Sequence, residues 1–421
     1  MKASFRTDDK IQTEGIENKY EYQPEMDFAD MPKYAELLRP AWVEVDLDAV
    51  AHNVRQIKAY LGNVKLLAVV KADGYGAGAI ETARTIVESG ADYLGVVMLE
   101  EAYELRRAGI QAPILNTGAV FPDQAEHVLA LDLEQMIDRY ETAAALSNAA
   151  VKVDKTARIH CKIDTGMSRY GFAFGLAAAE IARLVALPRL QIVGAFTHFP
   201  MSDGLDKSFA LLQIERMLRV KRELEAMGIT IPLWHMANSG GTLDLPQAHF
   251  DMVRVGLLNY GYWPSKEVRR PFEIKPAISL KARIVAVRQI GRGDSVGYGR
   301  KFIAEKDERI AVLPIGYADG YDRGLSKIGE VICKGRRLPI VGGLCMDAAF
   351  IKVTEWPDIG IGDLVTLMGK DGDEEISPHD IAALIGSVSY EVICRLGRRL
   401  PRVYVKNGCV SAVRNELIRE S

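Results

Sequence analysis

Eight short apolar runs, spaced regularly and separated by stretches with helical spacing, constrain this chain more than any other feature. They lie near Leu66–Lys71, Tyr93–Met98, Pro113–Thr117, Leu133–Ile137, Ala157–Asp164, Ile192–His198, Trp234–Asn238 and Met252–Gly256. Between them, Ile80–Ser89, Leu99–Ala108, Leu176–Val185 and Phe209–Met227 carry apolar residues at the period of an amphipathic helix. Strands alternating with helices in this way require a parallel sheet. Over about 210 residues they match a (β/α)8 barrel, and a doubly wound open sheet shares the same local grammar. Polar residues at the later strand ends, Asp164, His198, Asn238 and Arg254, favour the barrel, whose single mouth collects side chains from many strands.

After about residue 272 the texture changes. The β-rich runs Ser279–Arg288, Arg309–Leu313, Gly329–Cys333 and Ala348–Val353 are separated by Gly/Asp/Pro turns, and one short helical pattern covers Pro378–Ile385. The expected organisation is a flexible N-terminal arm over 1–39, a (β/α)8 barrel over 40–272 and a mostly antiparallel β domain over 273–421. The arm is polar and charged with no apolar signal core, so export is not expected. No apolar run is long enough to span a bilayer. A formal net charge of −3 gives no electrostatic case for nucleic acid or an acidic membrane surface. The five cysteines are scattered and form no C-x-x-C pair, which points to a reducing cytoplasm without a metal site.

Lys71 ends the first apolar run and opens the glycine-rich turn Lys71-Ala72-Asp73-Gly74-Tyr75-Gly76-Ala77-Gly78. Desolvating a lysine costs energy, and partial burial lowers its pKa and frees the amine as nucleophile or base. One reading is an imine-forming lysine. Another is a dinucleotide loop, because Gly74–Ala79 fits G-x-G-x-x-A, although no acidic residue is clearly placed at a strand end about 20 positions on. A plain strand-to-helix turn is the third. Lys162, Asp164 and Arg169 cluster at another strand end; they read as a site lining or as a salt-bridge group. His198 alone reads as an ordinary satisfied histidine. Small residues from Asn238 to Gly241, with Arg254, Gly256 and Leu257 on the next strand end, suit a phosphate cradle. Tyr298 between two glycines is either an exposed functional tyrosine or a hairpin residue.

Taken in order, the segments AVVKADGYG, KIDTGMSRYG, THF, HMANSG, MVRVG, VGYGRKF, PIGYADGY, CMD and GRRLPRVY resemble the alanine racemase family from about Arg39 to Gly408. The resemblance implies a barrel that binds pyridoxal 5′-phosphate (PLP), joined to a C-terminal β domain. The implied reaction is two-base racemisation of a small amino acid, L-alanine to D-alanine for peptidoglycan; a serine or broader racemase, or a barrel-type PLP decarboxylase, is the alternative. Lys71 is then the cofactor lysine and one base. Tyr298 from a second subunit is the other, which implies a cytoplasmic homodimer with shared sites. His198 and Arg254 form a hydrogen-bonded chain behind Tyr298, with Arg254 at the ring nitrogen. Tyr75, Ser239, Gly256, Leu257 and Tyr404 match phosphate positions. Arg169, Met346 and Tyr317 match substrate positions, with Asp347 in support. Lys162 matches a lysine that is carbamylated in several members and props the arginine. The common lysine segment reads KANAYGHG; Asp73, Gly74 and Ala77 depart from it, and Gly240-Gly241 replaces a more usual alanine pair.

Overall fold

The computed structural model describes residues 39–418, so the arm expected over 1–39 lies, apart from Arg39, outside the described residues. The chain enters through β1 (Ala41–Asp46) and the helix Leu47–Leu61. Asp46 caps that helix, its carboxylate accepting from the Ala49 amide at 2.9 Å. The strands β2 (Lys65–Val69), β3 (Tyr93–Val96), β4 (Ile114–Asn116), β5 (Glu134–Ile137) and β6 (Ala157–Asp164) follow, then the two-residue β7 (Phe172–Ala173), β8 (Leu190–Phe196), β9 (Leu233–His235) and β10 (Met252–Val255). Neighbours run parallel in the order β5-β4-β3-β2-β10-β9-β8-β6, with β7 appended to β6. The pairing of β5 with β6, from Glu134↔Arg158 to Ile137↔Cys161, joins the two ends. That closure decides between the two folds the sequence left open, since a doubly wound sheet keeps two free edges and this ring has none.

The alternation along each strand sorts side chains between helices and barrel axis. Leu66, Ala68, Ile159, Cys161, Ile163, Trp234, Val253 and Val255 share one core with the surrounding helices. Their neighbours face the axis. Leu67, Leu115 and Met252 make a small apolar layer there. Much of the remainder is polar and buried: Glu134, His160, Lys162, His235 and Arg254.

The second part comprises β11 (Ile278–Arg283), β12 (Ala286–Ile290), β13 (Ser295–Val296), β14 (Phe302–Ile303), β15 (Glu308–Leu313), β16 (Glu330–Cys333), β17 (Arg336–Pro339), β18 (Ala349–Lys352), β19 (Leu364–Asp371), β20 (Glu374–Ile376), β21 (Arg402–Lys406) and β22 (Cys409–Arg414). The main sheet runs β17-β16-β19-β11-β1-β21-β22, with β20 on β19; β12-β15-β18 form a second sheet and β13–β14 a hairpin. β1 therefore sits outside the barrel ring. It pairs antiparallel with β11 and parallel with β21, because Ala41, Val43 and Val45 bury against Ile278, Leu280 and Ala282 in the second core. The run read as Ser279–Arg288 divides into β11 and β12, which join different sheets. The helix Pro378–Ile385 is present, followed by a second short helix, Ser389–Cys394. Among the described residues no helix is long and apolar enough to cross a membrane, and no group of three or more His, Cys, Asp or Glu is placed to hold a metal ion.

Candidate active site

The turn after β2 is a short left-handed coil. Ala72, Asp73, Gly74, Tyr75 and Gly76 have φ of 53°, 53°, 62°, 57° and 83°. Each of the three non-glycine residues costs about 1–2 kcal/mol in that region, so the surroundings must hold the turn. Glu101 accepts from the Ala72 amide at 2.7 Å, and Asp73 accepts from the Ala79 amide at 2.9 Å. The β domain buttresses the other side: Arg402 Nε donates to the Gly76 carbonyl at 3.1 Å, and a Cβ on Gly76 would collide with the Ile393 carbonyl. Lys71 stands at the head of this turn. Burial, and then the charge of Arg169, hold its pKa below the ordinary lysine value.

Arg254 lies in the barrel axis between two histidines. Its guanidinium donates to His198 Nδ1 at 2.9 Å and to His235 Nδ1 at 3.0 Å. It also donates to the Thr197 carbonyl at 2.7 Å. Burial lowers its pKa to about 9, which leaves it charged at neutral pH. Arginine has no acceptor atom, so each Nδ1 is the acceptor and each neutral imidazole carries its proton on Nε2. His235 Nε2 is 2.8 Å from His160 Nδ1, and His160 Nε2 is 2.7 Å from Glu134 Oε2. The tautomers are thus set in one direction, from Arg254 through His235 and His160 to the Glu134 carboxylate. Burial and the arginine push both His198 and His235 well below the usual histidine value. The ring of Phe196 stacks on His235 with centroids 4.8 Å apart, and Arg254 lies 5.1 Å from its centroid.

Lys162 points into the same axis, its Nζ 4.6 Å from the Phe196 centroid. That nitrogen is buried and has no hydrogen-bond partner among the described residues. Burial, Arg254 and Arg169 together hold its pKa well below the ordinary lysine value. Asp164 serves the following turn, its Oδ1 accepting from the amides of Gly166, Met167 and Ser168 at 3.0 Å each; this brings Arg169 toward the mouth.

Three of the residues matched to a phosphate converge: Tyr75, Ser239 and Gly256. The Gly256 amide donates to Ser239 Oγ at 3.2 Å, and a Cβ on Gly256 would overlap the Tyr75 hydroxyl. A Cβ on Gly78 would overlap the buried Tyr404 hydroxyl, on which Arg414 acts electrostatically. The hydroxyls of Tyr75 and Ser239 and the Gly256 amide, with Leu257 next in the chain, suit a phosphate dianion, while Tyr404 meets the turn at Gly78 beside Arg414 and Asp73.

The second group of expected site residues lies on the β domain. Tyr298 occupies the turn of the β13–β14 hairpin and is 77% exposed. Its carbonyl approaches Gly343, and the Tyr317 and Ala318 amides donate to the Cys345 and Met346 carbonyls at 3.1 Å each, which unites Tyr298, Tyr317 and Met346 on one face. Asp347 is held by Arg399 at 2.5 Å. Among the described residues no hydrogen bond, ion pair or ring contact links Tyr298 to Lys71, His198 or Arg254. The sequence reading overlooked Glu134, His160 and His235. A signal was available: in Arg158-Ile159-His160-Cys161-Lys162 the alternation puts His160 on the same face as Lys162.

Residues 45–264 match the family described as "Alanine racemase, N-terminal domain", and residues 277–404 match "Alanine racemase, C-terminal domain". An alanine racemase of Clostridium perfringens (strain SM101 / Type A) is 41% identical over 380 residues, covering 90% of this chain and 98% of the relative. A solved alanine racemase of Clostridium difficile 630 superposes with a TM-score of 0.88 at 34% identity, covering 91% of this chain and 100% of that one. A solved histidine racemase of Leuconostoc mesenteroides subsp. sake superposes with a TM-score of 0.81 at 30% identity, covering 88% and 99%.

Proposed function

The chain belongs to the alanine racemase family, and from that premise we propose that it interconverts L- and D-alanine with PLP held at the barrel mouth. The observation that carries this reading is the meeting of three features at one end of the ring: a lysine of lowered basicity, a buried arginine between two histidines, and the hydroxyl cradle. Lys71 would hold the cofactor aldehyde, Arg254 the ring nitrogen, and Tyr75, Ser239, Gly256, Leu257 and Tyr404 the phosphate. Bound there, PLP supplies the electron withdrawal that acidifies the Cα–H bond of an attached amino acid.

The protein's own groups then move the protons. Inverting a stereocentre requires removal on one face and delivery on the other, hence two acid/base groups. Lys71 Nζ is one, its free-amine form favoured by burial and Arg169. Tyr298 is the other. Its exposure, and the lack of a link to Lys71 within the chain, support its entering the site of a second subunit in a two-fold homodimer. His198, with Nδ1 engaged by Arg254, presents Nε2–H as a donor to that tyrosine's oxygen. Arg254 keeps its proton, so it would donate to the ring nitrogen of bound PLP without charging it.

Arg169 and Met346 would hold the substrate carboxylate, with Tyr317 narrowing the entry. Lys162 matches a lysine carbamylated in several family members, and its buried, unpartnered amine of lowered basicity suits that modification: as the free base it would add to CO2, forming an N–C bond and releasing one proton, and the new anion would sit within electrostatic reach of Arg169 and Arg254. Five free cysteines support a reducing cytoplasm, where D-alanine serves as a precursor of peptidoglycan.

A chiral assay of purified protein with PLP against L-alanine, L-serine and L-histidine tests the reading. D-alanine formed fastest is the expected result. Carbon dioxide release, or no D-amino acid from any substrate, refutes it. Preference for L-histidine would move the substrate assignment toward that of the Leuconostoc neighbour.

A further inference from the structure

A carboxylate two residues from an amine that must lose its proton is adverse, because it favours the ammonium form. The family's common segment has asparagine at that place; this chain has Asp73. The fold turns the carboxylate elsewhere. Asp73 Oδ1 accepts from Arg414 Nη1 at 2.5 Å and from the Ala79 amide at 2.9 Å. The main-chain oxygen of Asp73 accepts from the Gly76 and Gly78 amides at 3.1 and 2.8 Å. One residue thus closes the left-handed turn on both its side chain and its backbone. Arg414 ends β22, the last strand, and its side chain is only 13% exposed. It also reaches Glu104 at 3.1 Å, on the helix Leu99–Arg107, and Glu416. The final strand of the β domain is therefore tied to the turn that carries the site lysine.

We propose that Asp73 and Arg414 are positioning residues that form a clamp on the Lys71 turn, and that Arg414 neutralises a carboxylate which would otherwise compete for the Lys71 amine. The inference rests on Lys71 being the cofactor lysine. Lys71 is faced by Arg169, Glu101 and Cys394, and acts in turn on His198. Asp73 is faced by Arg414, Arg402, Tyr404 and Tyr260.

The test uses full-length protein freed of cofactor, with PLP as the probe. The pH dependence of PLP capture is followed by borohydride trapping and peptide mapping. Asp73→Asn keeps the acceptor for the Ala79 amide and should leave the pH midpoint in place. Arg414→Met frees the carboxylate and should move the midpoint to higher pH by roughly 0.5–1 unit, slowing capture at neutral pH about three- to tenfold. The double variant Asp73→Asn/Arg414→Met should return to within about twofold of Asp73→Asn, since position 73 no longer carries a charge. Arg414→Lys keeps the charge and should fold and titrate like the wild type, which covers the case of an unstable Arg414→Met. A wild-type midpoint in Arg414→Met, a double variant shifted as far as Arg414→Met, or an equal shift in Arg414→Lys overturns the clamp. Trapped PLP on a lysine other than Lys71 in the wild type overturns the premise instead, and is distinguishable by its peptide.

Discussion

Replacing Lys162 with methionine gives opposite signs for two chemical states of one residue. Lys162 is 4% exposed, its Nζ has no hydrogen-bond partner among the described residues, and Arg254 and Arg169 both disfavour its charge. An unpartnered buried amine costs about 1–3 kcal/mol. Methionine fills nearly the same volume, and such swaps cost less than about 1.5 kcal/mol. If Lys162 were a free amine, Lys162→Met would be neutral or stabilising by about 1 kcal/mol. As a carbamate it is an anion facing two guanidinium groups, and each charge-assisted hydrogen bond is worth about 1.5–3 kcal/mol. Losing one or two leaves Arg169 and Arg254 uncompensated, so the expected cost is about 2–4 kcal/mol. The assay is urea denaturation of wild type and Lys162→Met, each with bicarbonate and in CO2-depleted buffer. Wild-type stability should fall on CO2 depletion while the variant stays constant. A variant at least as stable as wild type in bicarbonate, with neither protein responding to CO2, would falsify the carbamate.

Three further outcomes follow from the geometry. His198 and His235 are both held well below 6.5, so from pH 6.5 downward the unfolded chain takes up protons that the folded chain refuses; stability should fall by about 1.4 kcal/mol per pH unit for each, and urea midpoints should show His235→Asn with roughly half the wild-type slope. Mixed dimers of Lys71→Ala and Tyr298→Phe chains should recover activity near a quarter to a half of wild type, because one of two shared sites is intact; verified heterodimers without activity would place both bases in one chain. Gly76→Ala puts a methyl against the Ile393 carbonyl at a φ of 83°, so thermal unfolding should show a loss of more than about 2 kcal/mol and PLP affinity should fall with it; a loss under 1 kcal/mol would mean that the turn is not held by the β domain.

The sequence by itself determined the eight barrel strands, since each is a local apolar run whose ends are marked by turn residues. It also determined the residue types of the site at those ends: Lys71, Lys162, His198 and Arg254 all sit where a strand delivers its last inward side chains. The family motifs added Tyr298 and the proposed phosphate set as candidates, because their order along the chain is specific even where each is weak. Tertiary structure decided what depends on partners distant in sequence. Ring closure is the β5–β6 pairing, which no local pattern encodes, and β1 joins the second sheet because its apolar face matches β11 and β21. The tautomer chain from Arg254 to Glu134 exists only where four strands, β10, β9, β6 and β5, bring inward residues to one axis. Asp73 read as a carboxylate placed awkwardly near the lysine. Only the fold, by laying Arg414 against it from 341 residues away, turns that carboxylate from a competitor of Lys71 into part of what holds it.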